Sequence, residues 1–423
     1  MVSYDEAIDF LYNSLPVFQR MGPGAYKPGL GTSLKLDEAF GHPHRRFKSI
    51  HIAGTNGKGS TAHTLAAMLQ SAGYKTGLYT SPHLVDFRER IRVNGEMISH
   101  EAVCDFVERY RNMDLGCDPS FFELTMTMAF EHFAREKVDY AVIETGLGGR
   151  LDSTNIITPE LCVITNISFD HTAFLGNTLE AIAGEKAGII KKGVPVIVGE
   201  AEDEGVRRVF EQKARAENAP ITFADRNRYW KGEPVDFHFD SNLFGKFTTE
   251  LRGDCQIRNT ATLLAAAQAL QLPAEAVRRG FENVVELTGL TGRWMVVGKS
   301  PLTVTDTGHN EGGWRYLAPQ IDHSVSGTKH IILGFVNDKD LTHILESVKG
   351  ISNTRLYFTR PSVERARSVE SLMDEAARRG LQGCGYPTVA EAFARAQQDA
   401  GDDDMIFVGG STFVVADFLS SLS

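Results

Sequence analysis

Seven residues, Gly54-Thr55-Asn56-Gly57-Lys58-Gly59-Ser60, combine the groups that grip a polyphosphate. Glycines let backbone N–H groups converge on phosphate oxygens, and a helix starting at the loop adds partial positive charge. Lys58 can neutralise β- and γ-phosphate charge, and the Ser60 hydroxyl can reach a metal ion. The usual phosphate loop reads G-x-x-x-x-G-K-[ST]. Here the loop is shorter, and Gly59 separates Lys58 from Ser60. FKSIHIAG before it reads as a buried strand, and STAHTLAAMLQSAG after it as a helix. That is the context a phosphate loop requires, yet the loop alone leaves an ATPase, a GTPase, a kinase and a ligase open.

Other candidates lie at the ends of further apolar runs. Glu144 closes VDYAVIETG, where a carboxylate can hold magnesium near phosphates. His171 follows Asp170 just past ELCVITNIS. The basic stretches His44-Arg45-Arg46 and Arg88, Arg90 and Arg92 flank the loop. They read either as solvated faces or as a surface for an anionic substrate.

Composition narrows the class. At 423 residues the chain can hold two or three domains, and 42% hydrophobic with 23% charged is ordinary for a globular protein. No apolar run reaches the roughly 18 residues of a membrane span. The start, MVSYDEAIDFLYNSL, carries no basic leader. Cys104, Cys117, Cys162, Cys255 and Cys384 are scattered without CxxC spacing, which argues against a zinc site and a disulfide framework and for a reducing cytoplasm. A net charge of −10 makes a poor general nucleic-acid binder.

Positioning falls to alternating strands and helices. KTGLYTS, VDYAVIETG, ELCVITNIS and VPVIVGE are short β-branched runs between helical segments, which predicts βαβ units and a mostly parallel sheet. Ligands then gather beyond the carboxyl ends of the strands. Residues 225–250 alternate in a manner suited to antiparallel strands, and QIRNTATLLAAAQAL returns to helix. A second series follows Arg293: LTVTD, HIILGF, RLYFT and MIFVGG. The expected fold is α/β: a P-loop-type, mostly parallel-sheet ATPase domain over residues 1–296, then a smaller Rossmann-like α/β domain over 297–423.

GTNGKGS resembles the nucleotide loop of the Mur ligase superfamily and, within it, of the folylpolyglutamate synthase/dihydrofolate synthase family. The likeness covers almost the whole chain: TSPHLVDFRERIRVNGEMIS at 80–99, ETGLGGRLDSTN at 144–155, ISFDHTAFLGNTLEAIAGEKAGIIK at 167–191, GRW at 292–294, DTGHN at 306–310, GFVNDKD at 334–340 and VGGSTFV at 408–414. It implies ATP as cosubstrate with two Mg²⁺ ions, and K⁺ as a further ion. Ser60, Ser81, Glu144 and His171 would hold the metals. Lys186, otherwise an ordinary lysine on a predicted helix, would be carbamylated by CO₂, which requires an environment that lowers its pKa. With Lys58, Glu144 and His171 it would form the catalytic set. Asn56, Gly57, Lys58, Gly59, Ser60, Asn259, Arg293, Asp306 and His309 would contact ATP, Arg293 gripping a phosphate as domains close. Ser120, Phe122, Glu123, Asp152 and Ser153 would meet the pterin, Phe122 against its ring. PGLGTSLKL at 28–36 roughly matches the folate-binding N-terminal loop, and a plain surface loop is an equal reading. Two departures stand out: Ser153 stands where the family often has alanine, and Thr307 where it has glycine.

The implied reaction is ATP-dependent amide formation in a cytoplasmic, monomeric enzyme without nucleic-acid or membrane partners. L-glutamate would join dihydropteroate, or the γ-carboxyl of a folyl-glutamate, through an acyl phosphate. One rival is another amide ligase of the superfamily, such as a cell-wall ligase acting on a UDP-linked sugar peptide. It is disfavoured by the short segment before the loop and by the SPH motif at 81–83 and the FFE motif at 121–123. A P-loop switch or transport ATPase is a second rival, which leaves the Asp306/His309 pattern unexplained.

Overall fold

β-branched runs become strands where both faces can be covered. The computed structural model describes residues 2–16, 29–337 and 339–422. The first eight strands are β1 Lys48–Ala53, β2 Thr76–Tyr79, β3 Ile91–Val93, β4 Glu96–Met97, β5 Tyr140–Glu144, β6 Leu161–Asn166, β7 Val196–Glu200 and β8 Ile221–Phe223. They form one sheet in the order β4-β3-β2-β5-β1-β6-β7-β8. From β2 to β8 every pairing is parallel, and only the edge pairings β2–β3 and β3–β4 are antiparallel. The mostly parallel sheet is as expected. Its antiparallel edge is not legible in sequence, because two or three residues are too few to show a period.

Alternation of side chains splits the core between the two faces of this sheet. Ile50, Ile52 and Val142 pack with Leu65, Leu69 and Leu264 on one side. Ala141, Ile143 and Tyr79 pack with Phe130 and Phe133 on the other. The helix Lys58–Ser71 is buried continuously from Ser60 to Leu69, so it is clamped on all sides rather than amphipathic. Helix Ala274–Glu282 presses on it so closely that a β-carbon at Gly280 would come within 2.7 Å of the Met68 backbone. Residues 225–250 hold the expected antiparallel pair, β9 His238–Ser241 and β10 Gly245–Thr248. Phe247 stacks between Phe239 and Phe281, with ring centroids 5.4 and 4.5 Å apart.

A second sheet contains β11 Met295–Lys299, β12 Leu302–Asp306, β13 Lys329–Leu333, β14 Thr354–Phe358, β15 Gly383–Gly385 and β16 Met405–Gly409, in the order β11-β12-β16-β13-β14-β15. Only β11 is antiparallel. Its core is built on Trp314, Phe407, Ile331 and Leu345. The chain forms two compact units. One comprises Met1–His83, Phe87–Glu250 and Ile257–Leu290; the other comprises Leu84–Asp86, Leu251–Gln256 and Thr291–Ser423.

Candidate active site

Parallel pairing brings the carboxyl ends of β2, β5, β1 and β6 side by side on one edge of the first sheet. Ser81 follows β2, Glu144 ends β5, the glycine loop follows β1, and Asn166 ends β6. Four separate stretches of sequence therefore meet where ligands bind in open α/β sheets.

The loop is seated by its neighbours. Asn56 N donates to Asn166 Oδ1 at 2.8 Å, Thr165 Oγ1 donates to Asn56 O at 2.5 Å, and Thr55 Oγ1 donates to Ser168 O at 3.1 Å. Two glycines are obligatory. Gly54 has φ +151°, and a β-carbon there would lie 1.8 Å from Thr165 Oγ1. Gly57 has φ +79°, and a β-carbon there would lie 2.6 Å from Asn259 Oδ1. The second contact brings the expected residue Asn259, on the helix Cys255–Ala269, onto the loop. Gly54→Ala is expected to cost about 2 kcal/mol or more of stability and to weaken nucleotide binding, read by urea melts and by ADP titration.

Lys58 is the first residue of its helix, with Ser60 two positions on, and its Nζ donates to Thr55 O at 3.2 Å. Lys186, on the helix Leu179–Ala187, is buried and donates from Nζ to Gly54 O at 2.9 Å. Burial, reinforced by the positive charge of Lys58, pulls its pKa down to about 7, against the opposing pull of Asp170 and Asp152. The lysine reads as an ordinary helix residue in sequence, and the structure puts it against the phosphate loop with an amine that is partly neutral near pH 7.

Glu144 is buried, and its Oε2 accepts from Ser81 N at 3.1 Å, which joins the β5 and β2 ends. His171 has left-handed backbone at the start of the short helix Thr172–Leu175, and its N–H donates to Asp170 Oδ1 at 2.9 Å. Among the described residues no group of three or more His, Cys, Asp or Glu side chains could cage a metal. Glu144, with Ser81 bonded to it through the backbone and Ser60 at the head of the loop helix, is instead a hard-oxygen donor set. It fits Mg²⁺, which keeps its waters and shares its coordination with phosphate.

The expected pterin contacts fall into two kinds. Ser120 and Glu123 form a capping box at the head of helix Phe121–Glu136: Glu123 N donates to Ser120 Oγ at 3.3 Å, and Ser120 N donates to Glu123 Oε2 at 2.8 Å. Glu123 Oε1 also accepts at 3.4 Å from Ser33 Oγ, on the helix Gly31–Ala39, which stands where an open loop was the alternative reading. Pro28, at the start of that motif, lies outside the described residues, as does Asp338 of GFVNDKD. Phe122 is half-buried with its ring on Gly146, where a β-carbon would meet the ring at 2.5 Å. Asp152 is buried and caps the turn Ser153–Ile156. It accepts from Leu147 N at 2.8 Å and from Thr154 N at 3.0 Å, while Ser153 stays half-buried beside it. Burial raises the Asp152 pKa.

Arg293, Asp306 and His309 lie together in the second unit. Asp306 ends β12 and accepts from Trp294 N at 2.7 Å and Gly308 N at 2.8 Å. Burial raises its pKa, and Arg293 opposes the rise. His309 Nδ1 donates to Thr307 O at 3.0 Å. Thr307 has no left-handed φ, so the glycine that the family prefers is not required here.

Sequence reasoning missed Thr165, Asn166 and Ser168. The available signal was a pair of polar residues closing an apolar strand beside the loop strand. The basic stretches are engaged structurally. Arg46 Nη2 donates to Gly41 O at 3.2 Å and His44 Nδ1 bonds Asp37 at 2.5 Å, both ahead of the amino end of β1 and away from the loop. Arg90 Nε donates to His83 Nδ1 at 2.7 Å, and Arg92 Nη1 donates to Gly95 O at 2.8 Å. All five cysteines are free thiols, and no helix among the described residues is long and apolar enough to cross a membrane.

Comparison with known proteins extends these observations. Residues 52–267 match the Mur ligase middle domain, and residues 292–412 match the Mur ligase glutamate ligase domain. The Bacillus subtilis dihydrofolate synthase/folylpolyglutamate synthase is 32% identical, over 94% of this chain and 95% of its own length. Among solved structures, Escherichia coli FolC in complex with DHPP and ADP has a TM-score of 0.86 at 30% identity, covering 99% of this chain and 97% of that one. A bifunctional folylpolyglutamate synthase/dihydrofolate synthase with Mn, AMPPNP and L-glutamate bound has a TM-score of 0.82 at 31% identity, covering 94% of this chain and 95% of that one.

Proposed function

The chain belongs to the folylpolyglutamate synthase/dihydrofolate synthase family of Mur ligases, and from that premise we propose how its own residues carry out ATP-dependent glutamate ligation in folate metabolism. The substrate is dihydropteroate, the γ-carboxyl of a folyl-glutamate, or both. ATP and a divalent metal are required. K⁺ is a further ion in this reading, and the protein acts on small molecules as a cytoplasmic monomer.

A carboxylate is a poor electrophile because its charge repels an amine. In the first step its oxygen bonds to the γ-phosphorus of ATP, the bond to the β–γ bridging oxygen breaks, and ADP leaves. In the second the neutral α-amine of glutamate bonds to the acyl carbon, inorganic phosphate leaves, and the nitrogen loses a proton. Lys58 and the loop N–H groups hold the phosphates in line and offset the charge that moves onto the bridging oxygen. Asn259 and Asn56 fix the loop, and Arg293, Asp306 and His309 contact the nucleotide. Glu144, Ser60, Ser81 and His171 would hold Mg²⁺, which when bound neutralises phosphate oxygens. Phe122 covers the pterin ring, with Ser120, Glu123, Asp152 and Ser153 shaping its shelf. The observation that carries the reading is the glycine loop laced to the end of β6, with Lys58 and the partly neutral Lys186 both bonded to loop carbonyls.

Incubation with MgATP, glutamate and either dihydropteroate or tetrahydrofolate is expected to yield products one or more glutamates heavier, with one ADP per amide. Product masses and ADP release are the readouts. Amide formation only with UDP-linked sugar peptides would assign the chain to the cell-wall branch. ADP release without any joined product would remove ligation altogether.

A further inference from the structure

Arginine carries five N–H donors in a rigid planar fork, and which of them are spent decides the edge it offers to a ligand. Arg293 Nη1 donates to Gly292 O at 3.0 Å and to Thr307 Oγ1. Both Nη1 hydrogens are then used. Among the described residues no protein acceptor takes the hydrogens of Nε or Nη2. Arg293 as a residue is only half-buried, which leaves this second edge free to meet a ligand.

Thr307 is itself well fixed. Its N–H donates to Gly292 O at 3.2 Å, its carbonyl accepts from His309 Nδ1 at 3.0 Å, and its methyl lies where a β-carbon on Gly292 would come within 3.2 Å. On either side, Asp306 ties Trp294 N and Gly308 N to the same carboxylate. The segment Gly292–Trp294 is thus stitched to Asp306–Gly308, and the Thr307 hydroxyl is held on backbone that cannot easily shift.

We propose that Thr307 is a positioning residue for Arg293: its hydroxyl pins the Nη1 end, so that the Nε–Nη2 edge is the one presented to a nucleotide phosphate. The inference rests on the reading of Arg293 as a nucleotide contact. Two parallel N–H donors on one edge match two phosphate oxygens, whereas an unpinned guanidinium would lose orientation before binding.

Thr307→Val keeps the shape and removes the acceptor. It is expected to weaken ADP and AMPPNP binding about five- to tenfold and to raise KM for MgATP in parallel, with kcat changed less than about twofold. Thr307→Ser restores the oxygen and with it the affinity. On an Arg293→Lys background, where there is no fork to orient, Thr307→Val should add no further loss. Because Thr307 is mostly buried, folding is followed by circular dichroism, and Thr307→Ala serves as a second variant with the same expected weakening. Wild-type nucleotide affinity in either folded variant, alongside an impaired Arg293→Ala, overturns the role of Thr307 and leaves Arg293 in place. Wild-type affinity in Arg293→Ala removes the nucleotide role of the arginine, and the inference falls with it.

Discussion

Lys58→Ala is expected to lower turnover by about 10³-fold while leaving the fold intact, because in the mechanism proposed above it removes a positive charge that offsets the phosphoryl group in transit. The side chain adds little to stability: its ammonium donates to Thr55 O at 3.2 Å, a loop carbonyl that water can serve instead. Its position at the first turn of a fully packed helix means that alanine there leaves the helix undisturbed. Nucleotide titration separates two contributions. If Lys58 acts mainly on the charge developed during transfer, kcat falls far more than ADP affinity. Turnover within about tenfold of wild type would exclude Lys58 from the chemical step.

Lys186→Met carries a double signature. Near neutral pH the wild-type amine is partly uncharged, since burial and the Lys58 charge hold its pKa at about 7. A neutral amine can add CO₂, forming an N–C bond and releasing one proton, and the product is a carboxylate-like group beside the phosphate loop. We propose that this carbamate is the working form, and loss of the lysine is then expected to reduce turnover about 10²-fold or more. Stability supplies the independent test. Between pH 7 and the ordinary lysine value of 10.5 the unfolded chain holds a proton that the native chain lacks, so wild-type stability rises with pH. Below pH 7 both states hold the proton and the burial penalty is complete. The methionine variant has no such term. Its stability relative to wild type should therefore be highest at acid pH and fall as pH rises toward about 10, over a span of up to about 5 kcal/mol. Urea melts across that range measure it. A pH-independent difference would mean that Lys186 keeps its proton in the folded chain. Intact-mass spectra with and without bicarbonate would report the carbamate directly.

Much of the scaffold was legible because the relevant signals are local. β5 and β6 are mainly apolar runs, as parallel strands covered on both faces must be, whereas β1 also buries the polar Ser49 and His51, and the helix after the loop follows from the alanine-rich stretch behind it. Glu144 and the loop were visible as polar residues at strand ends. What stayed hidden depends on pairings between distant parts of the chain. Nothing local marks Lys186 as buried or tells that its partner is the carbonyl of Gly54, 132 residues away. Asn259 touching Gly57, and Asn166 receiving the Asn56 amide, are set by strand order rather than by spacing. Ser120 and Glu123 show the opposite limit. Their S-x-x-E spacing is a capping signature in its own right, and the structure displays that role for both.

Ten successive buried residues behind Lys58 leave the helix no solvent side toward which to relax. An amphipathic helix can rock on its apolar stripe; one gripped all round has no soft axis. Small displacements of the phosphate seat would have to open voids in close-packed interior, which is costly even at the scale of one methylene. The grip proposed for this loop on a triphosphate therefore has no graded failure. It stays aligned through the thermal fluctuations that loosen loops, and gives way only when the surrounding domain does.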